Sequence, residues 1–421
     1  MSDFSIILRS LRIRLFSTVV TILTVAVAVG LFLTLLSMRE SGRDAFRRGS
    51  GNIDLLVSAE PGPLVSVLNG LFHAGAPANP IPWARFEALR ASYPWAWAIP
   101  LQQGDNYRGY PAIATTPAFF EDYQPEAGRP WAFAAGRPFE ANFEIVAGSE
   151  VAATTGVAVG DRITLTHGSG GSREDHGHSH DEYDYEVVGI LEPSGSAHDR
   201  ALFSDLESSW VLHAFDRHEA EGRHVHVGVD DLEEVDRAVT GILLKVPSRG
   251  GMASAALPQQ FDRLRREGFT VAQPAQEIGR LLGIVANVDA LLIAMAAAVL
   301  LASGIGIMLA LYNSMDQRRR QVAIMRVLGA SRGKVFSLTL TESAMIGVAG
   351  GVIGTLFAAI GNAATASTLK ERLGLVIPWS LDPATVLAVV VGTTILAAAA
   401  GVLPGLVAYR TPVATNLRPT A

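Results

Sequence analysis

Four stretches of this chain run without a charged side chain for longer than a bilayer is thick: residues 15–38, 290–315, 343–369 and 384–409, of 24, 26, 27 and 26 residues. About 20 apolar residues in a helix cross the hydrocarbon core. Inside that core the backbone must satisfy its own hydrogen bonds, which a single segment does only as a helix. The pattern predicts four transmembrane helices, at 15–38, 290–315, 335–369 and 384–409, the third beginning ahead of its uncharged run. A cleaved leader is the rival reading of the first run, but the run is too long and no small-x-small cleavage site follows Ser37. Residues 39–289 are far too polar for lipid. The whole chain, 421 residues with 49% hydrophobic and 18% charged side chains and mean hydropathy +0.28, suits this mixture of membrane and soluble parts.

Charge orients the arrangement. Residues 316–334, DQRRRQVAIMRVLGASRGK, set Arg318, Arg319, Arg320, Arg326, Arg332 and Lys334 against one acid, Asp316. Short basic loops stay in the cytoplasm. The termini, 1–14 and 410–421, and this loop are therefore expected inside, and 39–289 outside, as in a protein of the bacterial inner membrane. Arg39, Arg43, Arg47 and Arg48 run against that rule, so 37–46 is read as the first helix continuing outward as a stalk. Ile278, Leu281, Leu282, Val285 and Val288 share one helical face of 276–289, the expected partner stalk. Residues 1–15 and 290–421 hold 13 basic and 5 acidic side chains, the remainder 21 and 35; the insert is strongly acidic. The chain has no cysteine, which excludes disulfides and thiolate metal sites.

Within the insert, IDLLVSA at 53–59 reads as a strand broken by Pro61-Gly62-Pro63. Helices are expected at 64–72, 83–92 and 257–268. Short strands are expected at 112–115, 143–146, 161–166, 185–191, 239–246 and 269–272. These predict two lobes in a large α+β domain: one built from both ends of the insert, and a β-rich one at about 110–230.

In the basic loop Val322, Met325 and Leu328 recur with Ile324 beside them, and Gly329 follows where a helix C-cap belongs. A short amphipathic helix under the bilayer, apolar on one face and arginine-rich on the other, suits a cytoplasmic partner. RRRQVAIMRVLGAS, then a helix opening TES and continuing into GVAGGVIG, resembles the FtsX-like permease family of ABC transporters, the macrolide-exporter and lipoprotein-releasing type. The basic tail AYRTPVATNLRP resembles that family's C-terminus. Gln321 stands where the family commonly has Glu. The resemblance implies a non-catalytic permease subunit. It implies that ATP and Mg²⁺ are handled by a separate cytoplasmic ABC ATPase, expected to dock on Arg318, Arg319, Arg320, Val322, Met325, Arg326, Leu328 and Gly329. It also implies a homodimer or pseudo-symmetric pair. By the same resemblance, ATP-driven motion is expected to pass to the outer domain for export or extraction of a periplasmic or membrane substrate, with a periplasmic protein or lipoprotein as further partner. No nucleic-acid partner is expected.

Catalytic signatures are missing from the sequence. GASRGK at 329–334 is one residue short of a phosphate loop, and Val335 stands where Ser or Thr would hold Mg²⁺. Glu342 opens the third span, where an interfacial place is expected. All ten histidines lie in the insert. His167, His176, His178 and His180, with Asp181, bracket the segment HGSGGSREDHGHSHDEYD at 167–184. Alternating imidazoles in such a segment can chelate zinc, copper or nickel; a solvated hairpin tip is the plainer reading. His224 and His226 are expected to share a strand face. A zinc-linked system, or transmembrane signalling without transport, therefore stays open beside export. Small-xxx-small spacing at Gly347 and Gly351, at Gly350 and Gly354, and at Gly401 and Gly405 predicts close helix packing. Pro404 is expected to kink the fourth span.

Overall fold

The computed structural model describes residues 7, 9, 11–12, 15–49, 51–126, 128–167, 179–223, 226–247, 255–373 and 381–410. Two compact units emerge. One comprises residues 1–42, 284–373 and 378–421; the other comprises 43–283 and 374–377. The elements in chain order are helix α1 (Leu15–Gly49), strand β1 (Leu55–Ser58), α2 (Pro63–Gly70), β2 (Ile81–Pro82), α3 (Trp83–Ala91), β3 (Trp97–Tyr107), β4 (Tyr110–Thr115), α4 (Ala118–Glu121), β5 (Phe133–Gly136), β6 (Glu144–Ala147), α5 (Ser149–Thr155), β7 (Arg162–His167), β8 (Ser179–Leu191), β9 (Leu202–Asp205), α6 (Leu206–Ala220), β10 (Ala238–Val239), β11 (Gly241–Lys245), α7 (Leu257–Arg266), β12 (Thr270–Ala272), α8 (Pro274–Val327), α9 (Arg332–Leu373), α10 (Pro383–Ala400) and α11 (Val402–Arg410).

The helical unit holds four stretches apolar and long enough to cross a membrane: Leu15–Glu40, Ala290–Ser314, Arg332–Ala366 and Pro383–Arg410. Leu31, Leu291, Ile305, Leu356, Ile360 and Ile395 are all more than half exposed on them, an outward apolar surface that suits lipid. Glycine decides how α9 packs. A Cβ on Gly354 would lie 2.7 Å from the Ala26 carbonyl oxygen and from Val29 Cβ on α1. One on Gly347 would lie 2.6 Å from Ala397 Cβ on α10, and one on Gly351 would lie 3.2 Å from Val390. The overlapping glycine pairs thus serve opposite neighbours: Gly350 and Gly354 admit α1, Gly347 and Gly351 admit α10.

Two sequence expectations change here. The separate short helix expected in the basic loop is the end of α8, one helix of 54 residues. No proline interrupts it after Pro274, so nothing stops hydrogen bonding between the span and the loop. The kink expected at Pro404 is a break at Gly401, between α10 and α11. The proline ring clashes with the carbonyl four residues back, at Ala400, and its missing N–H leaves that turn unbonded.

The other unit is organised by a ten-stranded sheet in the order β12-β1-β11-β3-β4-β9-β6-β8-β5, with β7 pairing both β3 and β8. Leu55 and Val57 face one core with Phe86, Leu89 and Leu264. Leu56, between them, faces another core with Val67, Leu71 and Ile278. Both faces of β1 are covered, which is why its sequence is continuously apolar rather than alternating. Strand β3 joins the two expected lobes into one sheet. Its first half, Trp97–Leu101, pairs with β11; its second half pairs with β4 and β7. The sequence does not announce β3, because Pro100 and Gly104 sit inside it. Pro100 keeps its carbonyl and accepts from the Thr115 hydroxyl at 2.8 Å, and Gly104 falls where the β3–β4 register shifts. The β-rich half also contains α6, capped by Asp205 accepting from Ser208 N–H at 2.8 Å.

Candidate functional site

The arginine-containing corner is built by two helix ends. At the end of α8, Ala330 N–H donates to the Met325 carbonyl at 3.0 Å and Gly329 N–H to that of Arg326 at 3.1 Å. This is the paired closure of a helix whose next residue is left-handed, and Gly329 has φ +97°. Two residues later Ser331 starts α9, its hydroxyl accepting from Lys334 N–H at 3.2 Å. Leu-Gly-Ala-Ser is therefore a stop and a start fused into one reversal. Gly329→Val should cost about 1–2 kcal/mol from the left-handed backbone alone, read as a lower thermal midpoint of the purified chain; an unchanged midpoint would contradict the strained turn.

Val322 is buried with Val335 of α9 and Ala408 of α11, and Met325 packs against them. The Arg332 guanidinium lies 5.8 Å from the Tyr409 ring centre. The apolar face expected from sequence is thus divided. Val322 and Met325 hold the corner together, while Leu328 is 81% exposed, with Val327 at 63% and Ile324 at 44%. Steps of three residues fall 60° short of a full helical turn, so Leu328 has rotated away from Val322 and shares a face with Ile324 and Val327. That outer face ends at Leu328, 14 residues past the last residue of the second span, Ser314, about 21 Å further along the axis at 1.5 Å per residue. An apolar tip thus stays exposed beyond the span, beside exposed Arg332 and Lys334. The side chains of Arg318, Arg319 and Arg320 lie outside the described ones. Glu342, ten residues into α9, is only 4% exposed, beside fully buried Ser343; it faces the helix bundle.

The histidine segment falls mainly outside the described residues. His176 and His178 are not described, and for His167, His180 and Asp181 only the backbone is, at the adjoining ends of β7 and β8. Among the described residues no three His, Asp or Glu side chains converge on a metal position. The expected strand with His224 and His226 is corrected: His224 is not described, and His226 lies in an irregular segment, where its ring stacks on Tyr183 at 5.1 Å.

Histidines with no sequence motif come together instead. His73 Nε2 lies 3.0 Å from His198 Nδ1, and His198 Nε2 lies 2.8 Å from the Tyr123 hydroxyl. His73 Nδ1 is 3.4 Å from the Gln103 amide. Burial pushes the His198 imidazole down to about 3. Burial and then the neighbouring His198 hold His73 well below the usual imidazole range. The two are 125 residues apart, and no local spacing could have paired them.

A family model described as a MacB-like periplasmic core domain matches residues 18–256, and one described as an FtsX-like permease C-terminal region matches 293–413. An uncharacterized ABC transporter permease of Methanocaldococcus jannaschii is 24% identical over 227 residues, 52% of this chain and 50% of that protein. The chain thus spans about half the length of this curated relative. The crystal structure of the extracellular domain of the noncanonic ABC-type transporter YknZ from Gram-positive bacteria aligns with 52% of this chain and 98% of its own, at 9% identity and a TM-score of 0.28, too low to carry an argument.

Proposed function

From the premise that this chain belongs to the FtsX-like permeases with a MacB-like periplasmic core domain, a family of ABC transporter membrane subunits, we propose that it converts a separate ATPase's cycle into movement of its outer head. Two copies pair in the plasma membrane, with termini and corner inside and the head outside. The ATPase holds ATP and Mg²⁺ and seats its apolar pocket over Ile324, Val327 and Leu328. The permease adds no bond-making chemistry; it positions and transmits.

One observation carries this reading most directly. Helix α8 runs without interruption from Pro274 to Val327. At one end Ile278 is buried in the head's core; at the other Val322 is buried in the corner. Burying a side chain of this size is worth about 1.5–3 kcal/mol, so each end is gripped. A helix passes an axial or rotational displacement along its length because every turn is hydrogen-bonded to the next. A push at the corner therefore reaches the head without a substrate path through the spans. This supports export or extraction of something already outside, with the head as the moving tool.

The chain lacks cysteine, so single cysteines report sidedness cleanly. In spheroplasts, Asp161→Cys in the head should react with a membrane-impermeant maleimide, and Gln321→Cys at the corner only after permeabilisation. Equal reactivity of both in intact spheroplasts would put head and corner on one side and end the reading.

A further inference from the structure

His73 and His198 belong to different halves of the head. His73 follows α2, in the half made from the two ends of the insert. His198 sits in the turn Ala197–Arg200, in the β-rich half, and is 1% exposed. The halves share β3, whose register with β4 breaks between Gln103 and Asp105, next to the residue that faces His73. His73 itself is held at φ +53°, a left-handed conformation that costs a non-glycine residue about 1 kcal/mol.

The hydrogen-bond inventory orders the chain of contacts. The Tyr123 hydroxyl donates to His198 Nε2, and His198 Nδ1–H donates to His73 Nε2. His73 Nδ1–H donates to the Asn69 backbone carbonyl, with the Gln103 side-chain amide 3.4 Å away; the imidazole tautomer is set by such counting. Run the other way, the Tyr123 proton finds no acceptor among the described residues. In this order each imidazole carries one proton and accepts one bond. A second proton on either ring removes an acceptor, leaves one donor along the chain of contacts without a partner, and places a charge on half-buried His73 or buried His198.

Among the described residues no carboxylate touches either ring; Glu60, which lines a cavity with Asn69 and Gln103, is engaged by the Asn69 amide at 3.3 Å and the Ala78 N–H at 3.0 Å. The groups facing the pair are Tyr123 after α4, Gln103 on β3, the Asn69 backbone on α2, and the rings of Phe119, Trp131 and Phe203. Tyr123 is the only other titratable one, and burial pushes its phenol up, so it stays neutral. Asp199, next along the chain, is turned away: its carboxylate accepts from Ser194 N–H and hydroxyl and from Gly195 N–H.

We propose that the His73–His198 pair is a proton-released latch, holding the segment after α2 against the turn Ala197–Arg200 at neutral pH and releasing it on acidification. The closed pair is neutral. Once parted, both imidazoles regain an ordinary affinity for protons, near 6.5. The parted state therefore binds more protons below that value, and closure is fully favoured above it and lost as pH falls from about 6.5 towards 3. With two histidines, the opening equilibrium should rise about 10³-fold between pH 7.5 and 5.0. The latch lies wholly in the soluble unit and stands whether or not an ATPase docks at the corner.

Hydrogen exchange of the full chain in lipid nanodiscs, corrected for the intrinsic pH dependence, reads this directly. Protection at 71–78, 118–123 and 197–200 should fall at pH 5.0, while His73→Gln/His198→Gln should show no such pH dependence. Unchanged wild-type protection, or an equal loss in the double variant, would overturn the latch. If the double variant does not fold, the wild-type slope decides. Uptake of two protons gives a rise of about 60-fold between pH 6 and pH 5, and a rise below about 3-fold refutes it.

Discussion

Leu328→Asp combined with Val327→Asp should abolish capture of the partner ATPase while leaving the permease folded. Both side chains are more than 60% exposed in the free chain, and substitutions at such positions usually change stability by less than about 0.5 kcal/mol. In the assembly they would enter an apolar pocket, where truncating one central anchor costs about 2–4 kcal/mol. An aspartate adds an unpaired, desolvated charge. Two such changes should weaken binding by more than about 100-fold, the equivalent of 2.7 kcal/mol. Co-purification of the co-expressed pair would show the ATPase lost, and Val159→Asp, at an exposed site on the head, would leave it bound. Val322→Asp should act differently. Val322 is 4% exposed, so a charge there breaks the corner and lowers the yield of folded permease. Wild-type capture by the Leu328/Val327 variant would remove the corner from the coupling path.

Gly354→Val should collapse the helical unit. Even a single methyl at Gly354 would approach the Ala26 carbonyl to 2.7 Å, where neither backbone can move without dragging a whole helix. Forcing one methylene into a close-packed interior costs about 1–3 kcal/mol, and valine adds two further carbons on the same face. Small residues let helices in lipid gain their main attraction, dispersion between near-touching backbones, so the variant also loses part of what holds α1 to α9. The midpoint of heat-induced loss of the monodisperse peak in size exclusion should drop sharply. Gly392→Ala is the matching control. Nothing lies within 4 Å of a Cβ there, and alanine should leave the midpoint unchanged or raise it slightly. If Gly354→Val and Gly392→Ala behaved alike, the close approach of α1 to α9 would be wrong.

Much of the architecture was legible along the chain because its causes are local. A run of more than about 20 uncharged residues has only one conformation open to it in lipid. Gly329 after an apolar-periodic segment stops a helix wherever that helix sits. The restart at Ser331 comes ahead of the expected 335, because the Ser331 hydroxyl accepts from Lys334 N–H. In the head, IDLLVSA announces a strand by composition, while the covering of both its faces is seen only in the packing. Strand β3 was illegible because Pro100 and Gly104 look like breakers when read locally. In the sheet, the proline keeps its accepting carbonyl and the glycine takes up a register shift. The most conspicuous histidines lie at 167–184, whereas the two that meet, half-buried His73 and buried His198, sit in unremarked turns.

Span number, the presence of a large polar insert between the first two spans, and the reversal at Gly329 follow from length, charge and hydrogen bonding within a few residues. Packing alone decided that Leu328 is bare while Val322 is covered, that Gly354 serves α1 while Gly347 serves α10, and that His73 finds His198. Those outcomes depend on which surfaces arrive opposite one another after folding. A residue's own neighbours in the chain carry no record of that, because contact energy belongs to pairs distant in sequence and close in space.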